Sequence, residues 1–444
     1  MLKVVSNSWA LFLGLALIML GNGLQGSLLG VRASIEGFSV PVTGLVMSGY
    51  YIGLLAGSTV VPKLVGHVGH VRSFGVLASL ASSSILVHAV FIDPAVWWAM
   101  RFVTGFSYAG LYIVAESWLN DASENDTRGQ LLSFYMLVSF VGLAGGQFML
   151  NIADPSSYKL FVLISVFVSL ALVPILASAA KAPGFETAES VSIHQLYRIS
   201  PLGVGGLLVT GIATGAVFSM ASVYAASLGL SVQEISFALG SMIMGGVIMQ
   251  FPLGRLSDIL GRRPVIAGTC IAGAMVAFFA AFAPPQEGWR LYLLIGLVGA
   301  LAMPLYSLCV AHTNDYLNPR QMVAASGAVV LVNGFGAAVG APVTAFAMDI
   351  MGSPGFYFTI GASLAVTATF ALWRSTRRSA IPAGEQGDFV VMTPTPISAV
   401  MNPDVELEVI EAANIRSAAS VEASFERLEH ELAEAGQDGE GHED

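Results

Sequence analysis

The side chains best able to do chemistry in this sequence are charged or polar groups set inside long apolar runs. Arg101 lies about one helical turn inside the run 96–119. On a helix advancing about 100° per residue, Gly105, Tyr108 and Tyr112 fall within about 40° of it. A guanidinium and two phenols on one face suit a cavity that grips an anionic or polar group, or one that tunes a proton site. The competing reading is an interfacial arginine snorkelling to the surface, with the tyrosines as aromatic packing. Glu116 sits about 60° from Arg101 and roughly 22 Å further along the same helix, and is the one acidic residue well inside a run. A proton-carrying carboxyl needs burial, whereas a gate residue needs basic partners such as Arg72 or Arg128 at the helix end. The position near that end favours the gate.

Asn22, Gln25, Gln147, Thr214, Gln250, Tyr306 and Asn333 lie in the middle of other runs. Each either lines a cavity or ties two helices together by a hydrogen bond. Enzyme chemistry has no foothold. Cys270 and Cys309 fall inside apolar runs, with no metal-ligand spacing around them, and read as packing residues. The glycine clusters 142–146 and 336–340 follow no strand and precede no Gly-Lys-Ser or Gly-Lys-Thr step, so they read as close helix contacts, not phosphate loops. No cofactor, metal or nucleic-acid partner is expected.

The elements that position these residues follow from composition. Of 444 residues, 55% are hydrophobic and 11% charged, against about a quarter charged in soluble domains. Runs of about 20 apolar residues cross the roughly 30 Å hydrocarbon core as helices. Because they do not alternate with period two, a barrel is excluded. The predicted spans are 8–30, 41–62, 72–92, 96–119, 129–152, 158–180, 201–228, 232–255, 264–283, 289–312, 322–348 and 354–373. The first run continues without a cleavage pattern and reads as a retained helix. With the N-terminus in the cytoplasm, 15 of the 19 lysines and arginines fall on that side, and only Arg32, Lys159 and Arg290 opposite. Both termini are therefore expected in the cytoplasm of a multi-pass inner-membrane protein. From Ala380 onward there are 15 acidic and two basic residues, so the formal charge of −10 belongs to a tail. That tail reads as mostly disordered, apart from a short amphipathic helix over 421–435.

An internal repeat divides the body. Gly37-Phe38-Ser39-Val40 and Gly229-Leu230-Ser231-Val232 open spans two and eight, 192 residues apart, and Gly53, Leu64 and Gly69 match Gly245, Leu256 and Gly261 at that offset. At an offset of 194, Leu111-Tyr112 matches Leu305-Tyr306, Asn120-Asp121 matches Asn314-Asp315, and Gly142 and Gly146 match Gly336 and Gly340. Repeating six spans in one orientation is a parallel repeat.

The loop after span eight reads Gly254-Arg255-Leu256-Ser257-Asp258-Ile259-Leu260-Gly261-Arg262-Arg263. It resembles the G-x-L-x-D-x-x-G-R-R signature of the major facilitator superfamily at every defined position. Asp258 is expected to accept from backbone N–H groups at a neighbouring helix N-terminus, with Arg262 and Arg263 in the headgroup region. In that family this loop acts as a cytoplasmic latch, which assigns Gly254, Asp258, Gly261, Arg262 and Arg263 to gating. The loop after span two is degenerate, with Gly66 at the aspartate position and His70 at an arginine position. The Arg101…Gly105 spacing resembles the family's fourth-helix pattern. The stretch 109–120 (AGLYIVAESWLN) and Gly69-His70-Val71-Arg72 look like its YcaD-type branch.

The resemblance implies an all-α membrane protein of the major facilitator fold, with 12 transmembrane helices in two six-helix halves. The expected parts are 1–180, a linker at 181–200, a second half at 201–375 and the tail at 376–444. Helices one, two, four and five with their repeat mates would line the cavity, and three, six, nine and twelve would face outward. The implied function is secondary active transport of a small organic solute by alternating access, proton-linked, with export favoured by the apolar, Met- and aromatic-containing spans. Uptake of a polar nutrient, or a sensor or scaffold acting through the tail, are the alternatives. The partners are the solute, the bilayer and protons, with a monomer as default. A transporter should keep its flux when 380–444 is deleted.

Overall fold

The computed structural model describes residues 9–122, 128–177, 192–283 and 288–377, with 381–382, 386–387 and 389–392. Most of the linker, the 421–435 segment and the Arg128 side chain lie outside the described residues. The first six long helices are α1 (Trp9–Ile35), α2 (Val40–Val68), α3 (His70–Val90), α4 (Pro94–Ala122), α5 (Arg128–Phe148, prolonged by the 3-10 turn Met149–Ile152) and α6 (Lys159–Leu170, prolonged by Leu172–Ala177). A short helix, Ile193–Ile199, follows. Its Ser192 and Gln195 form a reciprocal capping box, which starts the helix at the end of a polar stretch of sequence. The second set is α7 (Pro201–Gly215, a π-helical turn Ala216–Met220, then Ala221–Ser227), α8 (Val232–Leu260), α9 (Arg262–Phe282), α10 (Trp289–Ala302, then Leu305–Asn314), α11 (Pro319–Met351) and α12 (Pro354–Ser375).

Among the described residues, eleven of these helices are both long and apolar enough to cross a membrane. The twelfth, α4, has 29 residues, enough length to span, and falls short in apolarity because it carries Arg101, Glu116 and Asp121. The extra polarity marks the helix that carries the charged candidates.

Within each half, glycines let backbones touch. A Cβ on Gly146 of α5 would sit 2.5 Å from the Leu20 carbonyl oxygen of α1, and one on its repeat mate Gly340 of α11 would sit 2.3 Å from the Ile212 oxygen of α7. Such approaches supply the dispersion contacts that hold helices together where lipid removes the hydrophobic drive. Between the halves, the contacts cluster toward one end. Gly44 of α2 abuts Ala345 of α11, Gly30 of α1 abuts Ser222 of α7, and Asn151 Nδ2 donates to Ser236 Oγ of α8 at 3.0 Å. This end is remote from the loops carrying Arg72, Arg255, Arg262 and Arg263, here called the basic end.

Candidate functional site

A cavity of about 220 Å³ lies between the halves. Its wall comes from α1, α2, α4, α5, α7, α8, α10 and α11, with no residue from α3, α6, α9 or α12, and one tail residue, Met392. The local helix breaks serve it. The π-helical turn of α7 places Val217 and Phe218 in the wall, and the interruption of α10 at Met303 places that side chain there.

Arg101 occupies the α4 side and is 4% exposed. Its guanidinium carbon stands 4.5 Å from the centroid of the Tyr50 ring. It makes no hydrogen bond or ion pair among the described residues, and its Nε is buried without a partner. Asn22 of α1 donates to the Tyr112 hydroxyl at 2.7 Å and reaches Tyr50 at 3.5 Å, so α1, α2 and α4 share one polar cluster beside the cation.

Of the residues expected in the cavity, Asn22, Arg101, Tyr112, Gln147, Thr214, Gln250, Tyr306 and Asn333 line it. Several also bind another helix. Gln147 donates to the Gly23 oxygen at 3.0 Å, Asn333 to the Leu207 oxygen at 3.1 Å, and Gln250 to Ser307 Oγ at 2.6 Å. The same side chains thus tie helices and face the space. Two expected residues do not line it. Gln25 is 1% exposed and points about 120° away from the α1 face formed by Met19, Gly23 and Gly26. Tyr108 has the right azimuth, but the Tyr50 and Tyr112 rings, 6.3 and 5.9 Å away, screen it. Tyr50 and Tyr51 of α2, in the wall, were missed because a tyrosine in an apolar span carries no charge to flag it.

Glu116 is fully buried, and its Oε1 accepts from the Tyr135 hydroxyl of α5 at 2.8 Å. Tyr135 itself lines the cavity. The expected pairing with Arg72 is not formed. Arg72 is exposed at the start of α3 and makes no ion pair among the described residues, whereas Glu116 points inward between α4 and α5.

At the basic end, the signature loop differs from its expected form. Arg262 is 1% exposed instead of lying in the headgroup region. It pairs with Asp258, donates to Ser257 Oγ at 2.6 Å, and stands 3.5 Å from Asp315 Oδ2 without hydrogen-bond geometry. Asp258 therefore meets a side chain, not a helix N-terminus. Arg263 is also buried and donates to the Tyr316 hydroxyl at 2.7 Å. Burial lifts the Asp315 carboxyl to about 6, with Arg262 and the Gly387 amide pulling it down. Gly261 turns α8 into α9 at φ 89°, and Gly254 faces Phe389 of the tail.

The model of the Major Facilitator Superfamily matches residues 202–410. The chain is 26% identical over 375 residues to an uncharacterised transporter of that type, YcaD of Escherichia fergusonii, covering 83% of this chain and 96% of that protein. Its fold resembles that of a variant of the nucleoside transporter NupG, with a TM-score of 0.71 at 11% identity, over 83% of this chain and 99% of that one. It also resembles a bacterial homologue of the human lysosomal transporter Spinster in an inward-facing, unoccupied conformation, with a TM-score of 0.64 at 14% identity, over 83% and 95% of the two chains. With the twelve long helices and the cavity between two repeated halves, these likenesses support a multi-pass membrane transporter rather than an enzyme, similar over most of its length to transporters of the Major Facilitator Superfamily.

Proposed function

We propose that the chain is a secondary transporter of the inner membrane that exports a small organic anion by alternating access, linked to proton movement. The observation that carries this is Arg101. Burying a charge inside a membrane helix is costly, up to about 3 kcal/mol on insertion scales at the helix centre. Arg101 is buried one to two turns inside α4 without a counter-ion among the described residues. A cation–π contact such as that with Tyr50 returns about 0.5–2 kcal/mol. That return does not cover the cost, and a carboxylate or other anionic group on the solute would pair with the guanidinium directly. The aromatic wall of Tyr50, Tyr51 and Tyr112 suits an apolar body on that solute. At about 220 Å³ the space is below the roughly 300 Å³ at which pockets for drug-sized ligands begin, so a small metabolite fits better than a large drug.

Glu116 supports the proton link, since one hydrogen bond through Tyr135 joins its carboxyl to the cavity wall. The excess of basic residues at the loops of Arg72 and Arg262 supports a cytoplasmic basic end and cytoplasmic termini. The halves meet at the other end, which supports access to the cavity from the cytoplasmic side.

The test is binding followed by flux. Benzoate and related small carboxylates should raise the thermal stability of the wild type, and their neutral amides should not. In proteoliposomes, the active carboxylate should move faster under an imposed pH gradient. Arg101→Ala should abolish that flux, and Arg101→Lys should reduce it about tenfold or more, because lysine lacks the planar fork. Equal stabilisation of wild type and Arg101→Ala by the same carboxylate would sink the anion reading. Flux indifferent to the pH gradient would remove the proton link.

A further inference from the structure

We infer that the groove between α8 and α10 at the basic end is a docking site for the chain's own tail, and that the described tail residues 386–387 and 389–392 plug the mouth of the cavity. The docking stands on contacts alone; its effect on solute passage rests on the transporter reading.

Three anchors hold the segment. At Gly387, the carbonyl accepts from Arg262, and the amide bonds Asp315. At Phe389, the ring lies against Gly254, where a Cβ would stand 2.1 Å from Cδ1, and the Arg262 guanidinium carbon is 5.9 Å from its centroid. At Met392, the main-chain amide donates to Ser307 Oγ at 3.1 Å, and the main-chain oxygen accepts from the same hydroxyl at 3.1 Å. That hydroxyl also accepts from Gln250 at 2.6 Å, which fills its one-donor, two-acceptor capacity. Backbone polar groups are satisfied at both ends while apolar side chains enter between them, the pattern by which a groove recognises an extended peptide.

The placement of Met392 turns a dock into a plug. It is 5% exposed and forms part of the cavity wall. The halves are in contact at the opposite end, through Gly44 with Ala345 and Asn151 with Ser236. The route out of this conformation is therefore the basic end, across which the segment lies. Solute passes when the segment leaves, and the remaining tail is the handle by which its departure can be controlled. This also reverses the expectation that the tail can be removed without effect on flux.

The experiment uses Asn333→Cys in inside-out vesicles, labelled with a membrane-impermeant maleimide; Cys270 and Cys309, both fully buried, stay silent. Labelling should be several-fold faster when 380–444 is deleted. It should be equally fast in the full-length Phe389→Ala/Met392→Gly variant, which covers the case in which the deletion fails to fold. A Ser307→Cys/Met392→Cys pair should cross-link on oxidation. Identical labelling in the full chain and the Phe389→Ala/Met392→Gly variant, or no cross-link, would overturn the plug. Labelling needs no substrate, so this failure is distinct from failure of the transport reading.

Discussion

At the basic end, α2 passes into α3 through Gly69, and α8 into α9 through Gly261. Their dihedrals are nearly superimposable, φ 84° and ψ 163° against φ 89° and ψ 154°. The side chains that follow behave differently. In the first half His70 is buried, its Nε2 is 2.9 Å from Ser117 Oγ, and its ring stacks 6.0 Å from Trp118. In the second half Arg262 gathers Asp258, Asp315, Ser257 and the tail around one buried charge. Repetition has kept the turn, which the helix geometry demands, and released the side chains. Among the described residues, the charged copy offers the donors and the ring-facing cation that meet Gly387 and Phe389, so these tail residues lie on the second half.

The largest expected effect breaks this asymmetry at its centre. Arg262→Ala leaves Asp315, whose side chain is 4% exposed, as a buried acid without its cation. Breaking a buried pair costs about 3–5 kcal/mol. His70→Ala removes the hydrogen bond to Ser117 and the ring contact with Trp118, about 1–2 kcal/mol for the two. Thermal unfolding in detergent should therefore rank Arg262→Ala well below His70→Ala, and equal losses would deny Arg262 its central role. The pH dependence sharpens the test. Asp315 is raised to about 6 from 3.8, so its ionisation subtracts stability as pH climbs through about 6. Without Arg262 that subtraction grows, and the deficit of Arg262→Ala should be smaller at pH 5 than at pH 8.

Much of the frame was legible because membrane helices advertise themselves by length and apolarity, and because the repeat offsets brought Gly69 onto Gly261. The cavity was legible where polarity stands out from an apolar run, as at Asn22, Arg101 and Asn333. Azimuth along one helix was not enough for Tyr108, since what screens it is a ring from α2. Tyr50 and Tyr51 gave no contrast with their neighbours. Asp315 drew notice only as the repeat mate of Asp121, because its partner Arg262 lies on another helix. The docked tail was least legible. Phe389 and Met392 sit in a polar, Pro-broken stretch, and the bonding partners of this segment, Arg262 and Ser307, lie 125 and 85 residues earlier in the chain.

A smaller effect tests whether the two turns are equivalent in backbone. Both glycines occupy a region of φ and ψ open to almost no other residue, where a side chain costs about 1–3 kcal/mol. Around Gly69 a Cβ would meet nothing within 4 Å, and at Gly261 the nearest atom is 3.7 Å away. The cost of Gly69→Ala and Gly261→Ala is thus conformational in both cases. The two variants should lose equal stability in the same unfolding assay. A neutral Gly69→Ala beside a costly Gly261→Ala would show that the turns are not interchangeable.

The smallest effect concerns the position that differs most visibly between the loops, Asp258 against Gly66. The Asp258 side chain is 34% exposed, so water already screens its pairing with Arg262. Asp258→Asn replaces a charge-assisted bond by a neutral one while Asp315 still faces the guanidinium. The loss should be about 1 kcal/mol or less, visible mainly as faster thiol labelling at a cavity position such as Tyr306→Cys. The reciprocal change, Gly66→Asp, puts a carboxylate one turn before His70 at an exposed site. His70 is already engaged with Ser117, and an imidazole lacks the charged, planar fork of donors by which an arginine grips a carboxylate. Gly66→Asp should leave unfolding and labelling within error of the wild type. If it stabilised the first half by as much as Asp258→Asn weakens the second, the two loops would be one electrostatic device with a missing residue, and the division of labour between them would fall.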